Sequence, residues 1–272
     1  MEKNKRGSLY IVGTPIGNMG DISQRAVSVL SDVDVIACED TRHSRVLLDK
    51  LGINKRLISY HKHNERSGSE YVISLMDQGA DVALISDAGM PCVSDPGAVL
   101  VNEARCSGIK ICCVPGPTAL TSAVALSGIE GAFTFIGFLP DKRKDRTAIF
   151  TSFKAVPSAL VFYCSPHDLI RDLDDMYEFL GARGVCVVRE ITKLYEEVVC
   201  GELGSVDVGE PRGEYVVIVA PPAKERPQDD LMSQLKSELA LGVDKKEAVK
   251  KVAKDNGVPK DVVYKLALEI ND

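Results

Sequence analysis

Five short apolar runs alternate with helical patterns through the first half of the chain, and this alternation constrains the fold more than any other feature. The runs lie at residues 9–12, 33–38, 56–59, 82–85 and 110–114. Apolar runs of this length between helices are typical of parallel strands that helices cover on both faces. They predict a right-handed, mostly parallel sheet in an α/β domain over residues 1–128, with Asp21 and Asp95 at the starts of two of its helices.

The second half of the chain has a different pattern. Strand-like segments lie at residues 133–139, 159–163, 185–189, 196–200 and 215–220, with helices that end near residue 153 and span 167–180. The last strands are close together, which indicates hairpins. Residues 129–222 are therefore predicted to form a second α/β domain with a mixed sheet.

The C-terminal region reads as a small helical domain. Residues 221–227 (PPAKERP) are typical of an exposed linker, and helical patterns follow at 229–241, 244–256 and 260–270. Asp244 with Glu247 predicts a capping box, and Gly257 a helix end. A helix-turn-helix-like domain at 228–272 is expected, locally basic because residues 242–265 hold seven lysines against four acidic residues.

Charge and cysteine content limit the class of protein. The 33 basic and 39 acidic residues give a net charge of −6, which disfavours a dedicated nucleic-acid coat but allows local basic patches. Eight cysteines without C-x-x-C spacing predict reduced thiols in a cytoplasmic protein, with Cys38, Cys112, Cys113 and Cys186 in the core. No apolar run reaches the roughly 18–20 residues of a membrane span, and we expect residues 1–7 to be no secretory signal.

A glycine-rich turn follows the first apolar run. Residues 13–20 (GTPIGNMG) could bring backbone close to a ligand at a helix N-terminus. The glycine spacing is not G-x-G-x-x-G, which disfavours an NAD-dependent oxidoreductase, and the chain has no G-K-[ST] segment of a nucleotide P-loop. A plain tight turn is an equally good interpretation.

The most unusual segment is residues 86–97 (SDAGMPCVSDPG), directly after the fourth apolar run. Open parallel sheets bind ligands beyond the carboxyl ends of their strands. Residues 114–119 (VPGPTA) repeat this pattern after the fifth run, where backbone N–H groups of a helix start could face a ligand. The alternative is a pair of Pro/Gly-rich connectors.

Four segments carry concentrated charge. Residues 39–43 (EDTRH) and 189–197 (REITKLYEE) fit a site and a purely structural role about equally well. The cations of 141–146 (DKRKDR) could grip phosphates, although a solvated loop is the ordinary reading of such a run. Residues 61–65 (HKHNE) lack further placed metal ligands, so no metal site is predicted.

Taken together, these segments resemble the tetrapyrrole methylase superfamily, and within it the branch that acts on ribosomal RNA. The similarity covers about residues 8–222 in unbroken order, and the helical tail also resembles that branch. The matching segments are 12–18, 39–42, 86–91, 94–97, 115–119, 135–140, 165–167, 189–193 and 213–215. Met90 stands where the wider superfamily often has an aspartate, which disfavours a porphyrin-type substrate.

The resemblance implies two α/β domains with S-adenosylmethionine in the cleft between them, and a homodimer. It further implies 2′-O-methylation of a cytidine ribose in the decoding region of small-subunit ribosomal RNA, either naked or in the assembled subunit. The cofactor-binding residues that it implies are Ile16, Asp87, Ala88, Gly89, Met90, Val93, Thr118, Ala119, Phe162, Ile191 and Ala220.

The chemistry of such a reaction suggests catalytic candidates. A carboxylate, Glu197 or Asp40, could accept the hydroxyl proton. A cation, Lys193 or Arg42, could hold phosphate or stabilise the forming alkoxide. Residues 142–146, 55–56 and 61–66 and the basic tail are predicted to contact the RNA backbone.

Three other functions compete with this interpretation. A methyltransferase of a corrin or porphyrin intermediate would share the cofactor pocket but has no use for a basic helical tail. An NAD-dependent oxidoreductase is disfavoured by the glycine spacing. A non-enzymatic RNA-binding protein on the same scaffold is the third.

Overall fold

The computed structural model describes residues 6–223 and 228–270. The chain forms two compact units, Met1–Pro222 and Ala223–Asp272. The first unit contains two five-stranded sheets, and the second is helical. A domain boundary at 128/129 within the first unit stays a prediction.

The first sheet is fully parallel, as predicted. Its strands are β1 (Ser8–Val12), β2 (Val35–Cys38), β3 (Arg56–Ser59), β4 (Val82–Ile85) and β5 (Lys110–Val114), in the order β3-β2-β4-β1-β5. The helices between and after them are α1 (Gln24–Asp32), α2 (Thr41–Lys50), α3 (Glu65–Asp77), α4 (Ala98–Cys106) and α5 (Ala119–Ser127). Along β4, Val82 and Leu84 enter one core and Ala83 and Ile85 the other, which explains why the central strands are apolar throughout.

Two predicted helix starts are wrong. Asp21 lies in a short 3₁₀ turn, and the Ser23 hydroxyl caps α1 by accepting from the Ala26 N–H at 3.1 Å. Helix α4 begins after Gly97, whose N–H donates to the Glu65 carboxylate at 3.0 Å. Asp95 therefore does not cap α4.

The second sheet is mixed, as predicted. Its strands are β6 (Phe133–Phe138), β7 (Ala159–Cys164), β8 (Gly184–Arg189), β9 (Glu197–Glu202) and β10 (Tyr215–Val219), in the order β6-β7-β10-β8-β9. Only the β6–β7 pair is parallel. Helices α6 (Arg143–Phe153) and α7 (Leu169–Leu180) complete this part. The α5 residues Leu120, Ala123 and Val124 pack against this second sheet. Helix α5 therefore connects the two sheets through one apolar layer.

The cysteine prediction is wrong in three respects: two cysteines form a disulfide, Cys113 is exposed, and Cys112 is only partly buried. Cys186 on β8 and Cys200 on β9 are direct cross-strand partners and form a disulfide, because opposite residues of an antiparallel pair bring their side chains together. The other six cysteines are free. Cys113 is exposed rather than buried, since β5 is an edge strand.

The second unit is a bundle of α8 (Gln228–Ala240), α9 (Lys245–Asn256) and α10 (Lys260–Glu269). Its core includes Leu235, Val252 and Val263. Asp244 caps α9 by accepting from the Lys246 N–H at 3.0 Å, and Gly257 ends it at a φ of 61°. Residues 224–227 of the predicted linker lie outside the described residues, and no described helix has the length and apolar character to cross a bilayer.

Candidate functional site

A cavity of about 420 Å³ opens between the two sheets of the first unit. Loops beyond β1, β4 and β5 form one wall, and residues of the second sheet and its loops form the other. Eight of the eleven predicted cofactor residues line this cavity: Ile16, Ala88, Gly89, Met90, Val93, Thr118, Ala119 and Ile191. The structure thus brings together most of the residues that the resemblance implied.

The loops of the first wall lie close together because they are glycine-rich. Thr14 and Gly89 exchange backbone hydrogen bonds of 2.9 and 3.2 Å, and Gly89 has a φ of 81°. A Cβ at Gly13 would lie 2.7 Å from both the Gly116 Cα and the Met90 sulfur. No side chain fits there, so the glycines allow three loops to meet at one edge of the sheet.

The 86–97 loop is strained. Cys92 and Ser94 have φ values of 69° and 68°, which residues with a Cβ rarely adopt. Such outliers are concentrated at ligand sites, where the surrounding structure holds them. Here the loop runs along the cavity, and Val93, Ser94 and Asp95 line it.

Replacing Gly97 with alanine should destabilise the first unit by about 2–4 kcal/mol. The new Cβ would meet the Cys92 sulfur at 2.6 Å and a Leu84 methyl at 2.7 Å, at a φ of 137°. Chemical denaturation measures the change. Gly108→Ala is the control, since Gly108 has a φ of 69° but open space around its Cβ position. Equal losses of unfolding free energy in both variants would show that the close contacts at Gly97 add no destabilisation.

Acidic side chains gather behind and beside this loop. Burial, followed by the charges of Glu39 and Asp87, raises the pKa of Asp95 to about 6. Burial and Asp87 likewise raise the pKa of Glu39, while His61 opposes that shift. Asp87 does not line the cavity, and its carboxylate accepts from the Asp40 N–H at 3.3 Å. The predicted cofactor residue Asp87 therefore lies outside the cavity lining, and its charge contributes to the raised pKa of Asp95.

Lys193, which the sequence predicts as a catalytic residue, lies on the second wall of the cavity. Its Nζ donates to Glu190 and Glu214 carboxylate oxygens, both at 2.8 Å. Burial alone would lower the pKa of Lys193, but these two hydrogen bonds outweigh it and the pKa is raised. The Lys193 ammonium is therefore cationic at neutral pH.

The backbone around Lys193 is unusual. Glu190 and Thr192 have φ values of 49° and 65°. The Glu190 carboxylate also accepts from the Glu214 N–H at 2.9 Å, and it packs so closely on Gly213 that no Cβ fits there. A Cβ at Gly17 would clash with the Lys193 stem in the same way. These contacts hold the ammonium in one place.

Three predicted catalytic residues do not line the cavity. Asp40 caps α2 by accepting from the Arg42 N–H at 2.8 Å and pairs with the Arg42 guanidinium at 2.9 Å. That guanidinium holds the pKa of Asp40 at about 2, so the two charges satisfy each other at the surface. Glu197 is exposed at the start of β9, 3.5 Å from Arg189.

Two predicted cofactor residues also lie elsewhere. The Phe162 side chain is fully buried beside Phe150 in the core on the opposite face of the second sheet. Ala220 follows β10, where its N–H donates to the Gly184 carbonyl at 2.8 Å. Successive side chains of a strand point to opposite faces, and Tyr163 of β7 points toward the cavity, so its neighbour Phe162 points away from it.

Of the basic segment 141–146, which the sequence predicts to contact phosphates, only part is free to do so. Arg146 is buried, with its Nε 2.6 Å from Asp175, so it stabilises the α6–α7 packing instead. Arg143 pairs with Glu178 at 2.7 Å on the surface. Lys142 and Lys144 are exposed. Among the described residues no group of three acidic, His or Cys side chains could hold a metal.

The sequence analysis missed several lining residues, among them Ser94, Asp95, Phe138, Tyr163, Ser165, Pro166 and Glu214. Most lie in segments that it had singled out for other reasons. The available signal was position at strand ends: Phe138 and Ser165 lie at or just after the ends of predicted strands, and Glu214 directly precedes one.

Comparisons with known proteins identify the family of the chain. The family model for tetrapyrrole (corrin/porphyrin) methylases matches residues 8–207. Ribosomal RNA small subunit methyltransferase I of Mesorhizobium japonicum is 42% identical, over 97% of this chain and 92% of its own length. The protein of the same name from Escherichia coli O157:H7 is 40% identical, over 98% and 96%.

Among solved structures, the methyltransferase CobJ has a TM-score of 0.62 at 19% identity, covering 81% of this chain and 96% of its own. That likeness concerns the fold alone. The family model and the full-length relatives go further, and together they show that the chain belongs to the tetrapyrrole methylase family and, within it, to the ribosomal RNA small subunit methyltransferase I proteins.

Proposed function

We propose that this protein transfers a methyl group from S-adenosylmethionine to the ribose 2′-hydroxyl of a cytidine in the decoding region of small-subunit ribosomal RNA. The observation that carries the proposal is likeness along nearly the whole chain, C-terminal unit included, to proteins named for methylating that RNA. The corrin methylase alternative is supported only by distant structural likeness.

The cavity residues suit S-adenosylmethionine. A volume of about 420 Å³ falls in the range of small-molecule sites. Gly89, Thr118 and Ala119 would let its flat groups approach the backbone, and the Asp95 carboxylate favours a cation. When bound, S-adenosylmethionine supplies an electrophilic methyl group on a sulfonium sulfur.

The residues of this chain would supply orientation and charge. In-line methyl transfer depends mainly on positioning the acceptor oxygen, and on stabilising that oxygen as its proton leaves. Lys193 is the cavity cation for that task. Glu214, with an oxygen 2.8 Å from Lys193 Nζ, is the carboxylate beside it that can take the proton. Asp40, Arg42 and Glu197 lie outside the cavity and so have no part in this step.

RNA backbone contacts are assigned to exposed cations. Lys142 and Lys144 follow the second-sheet wall of the cavity, and the C-terminal unit presents exposed lysines such as Lys246, Lys250 and Lys254. Only ribose offers a 2′-hydroxyl, so the acceptor itself selects RNA over DNA. The homodimer and the cytoplasmic location implied by the resemblance stay predictions.

A methyl-transfer assay distinguishes the alternatives. Its substrates are isolated small ribosomal subunits and naked small-subunit RNA, each lacking the modification. We expect transfer of labelled methyl from S-adenosylmethionine, with the label recovered as 2′-O-methylcytidine on nucleoside mapping. A base-methylated nucleoside would contradict the proposed atom. Binding without release of S-adenosylhomocysteine would favour the non-enzymatic RNA-binding protein, and transfer only to a corrin or porphyrin would favour that alternative.

A further inference from the structure

Strand β6 contains a β-bulge at the edge of the cavity. Its register against β7 shifts between Phe135 and Gly137, so that Phe135 lies opposite Val161 and Phe138 opposite Tyr163. In a regular strand, alternation would place Phe138 on the same face as Ile136, which packs against the buried core beneath α6 and α7. The bulge moves Phe138 to the other face, toward the cavity.

The Phe138 ring lies in the cavity wall and is 61% exposed. It contacts Tyr163 edge-to-face at 5.5 Å, and Tyr163 contacts Phe135 in the same way at 4.9 Å. Gly137 makes this possible, because it has a φ of 80° and a Cβ there would lie 3.1 Å from the Ser94 hydroxyl. The Phe138 ring thus packs against Tyr163 on one side and is exposed to solvent on the other.

We infer that Phe138 is a stacking platform for the base of the acceptor nucleotide, an inference that rests on the proposed function. Proteins that act on single-stranded RNA stack unpaired bases on exposed aromatic rings. A nucleotide that enters a cavity between two sheets has to leave the stack of its duplex or loop, and a ring in the cavity wall can replace the lost stacking.

The position of the ring favours the acceptor base over the adenine of the methyl donor. Seven of the eight predicted donor residues that line the cavity lie between residues 16 and 119, in segments that follow strands of the first sheet, whereas Phe138 ends a strand of the second sheet. Exposed Lys142 and Lys144 follow it within six residues. One segment therefore offers a π-face for a base and cations for the adjoining phosphates.

The chain contains no tryptophan, so Phe138→Trp would place its sole indole at this position. Phe133→Trp is the matched control, because Phe133 lies on the same strand, is 43% exposed and does not line the cavity. Each full-length variant is titrated with cytidine 5′-monophosphate and with a short single-stranded RNA, in saturating S-adenosylhomocysteine. We expect strong fluorescence quenching for Phe138→Trp and none for Phe133→Trp.

Kinetics provide the second measurement. Phe138→Leu, which keeps an apolar side chain but loses the ring, should raise the KM for small subunits about 5- to 100-fold, while Phe138→Tyr stays near wild type. The affinity for S-adenosylmethionine should not change in either variant. Equal melting temperatures would show that both variants fold.

Two results would overturn the inference. Quenching by S-adenosylhomocysteine alone, with no further change on adding RNA, would mean that the ring stacks on the donor. Absence of quenching by either nucleotide or RNA would mean that no base stacks there. Quenching by RNA in a protein that methylates no ribosomal substrate would instead support the base site and overturn the proposed reaction.

Discussion

Replacing Lys193 with methionine should lower kcat for methyl transfer to small subunits about 10²- to 10³-fold, with little change in S-adenosylmethionine affinity. Methionine has nearly the length of the lysine stem and keeps the contact with Gly17, but it cannot stabilise the oxygen that loses its proton. The loss should therefore fall on kcat rather than on KM. Single-turnover kinetics with saturating subunits measures it directly.

The position of Lys193 makes this expectation specific. Glu190 and Glu214 hold its Nζ at 2.8 Å, and the raised pKa of Lys193 keeps it cationic through neutral pH. Lys142→Met removes an exposed cation that does not line the cavity, so it should raise only the KM for RNA. If Lys193→Met behaved like Lys142→Met, Lys193 would be a phosphate contact without a part in the chemical step.

The parallel sheet and the loops that line the cavity at one of its edges could be predicted from the sequence because both depend on local patterns. Apolar runs of four to six residues indicated each strand of the first sheet, and the strand-end rule selected the loops after β1, β4 and β5. The charged segment 189–197, which the sequence singled out, contains Lys193, and Lys193 lines the cavity. These features need no knowledge of long-range contacts.

Three features that local sequence patterns do not reveal involve contacts between segments distant in sequence. Arg146 reads as one of several solvated cations, yet its helix turns it toward Asp175 on α7. Alternation alone predicts a core position for Phe138, and only pairing with β7 shows the bulge. Cys186 and Cys200 become neighbours only through the β8–β9 register.

Local sequence patterns also fail to predict which carboxylates line the cavity. Asp40 and Asp95 both follow buried strands of the parallel sheet, and the sequence gives no reason to prefer either. In the structure Asp40 is occupied by capping α2 and pairing with Arg42, whereas Asp95 belongs to a loop whose strained backbone follows the cavity. The sequence predicts a catalytic role for Asp40 and a helix start for Asp95, because the strand pattern does not show where the loop backbone places each carboxylate.

Replacing Asp95 with asparagine should weaken S-adenosylmethionine binding about 10- to 100-fold, and S-adenosylhomocysteine binding much less. Asparagine keeps the shape of the side chain and removes its charge. The donor carries a sulfonium cation that the product lacks, so a nearby carboxylate favours the donor selectively. Calorimetric titration of both ligands at pH 7.5 measures the difference.

The pH dependence provides the decisive control. With the pKa of Asp95 raised to about 6 in the free protein, a cation binds the ionised carboxylate and lowers that pKa. Donor affinity should therefore be constant above pH 7 and fall as the pH drops below about 6, approaching a tenfold loss per pH unit. The Asp95→Asn variant should lack this fall, and S-adenosylhomocysteine should show little of it in either protein. A donor affinity that fell equally in wild type and variant would place the titrating group elsewhere, with Glu39 the next carboxyl to test, since burial and Asp87 raise its pKa as well.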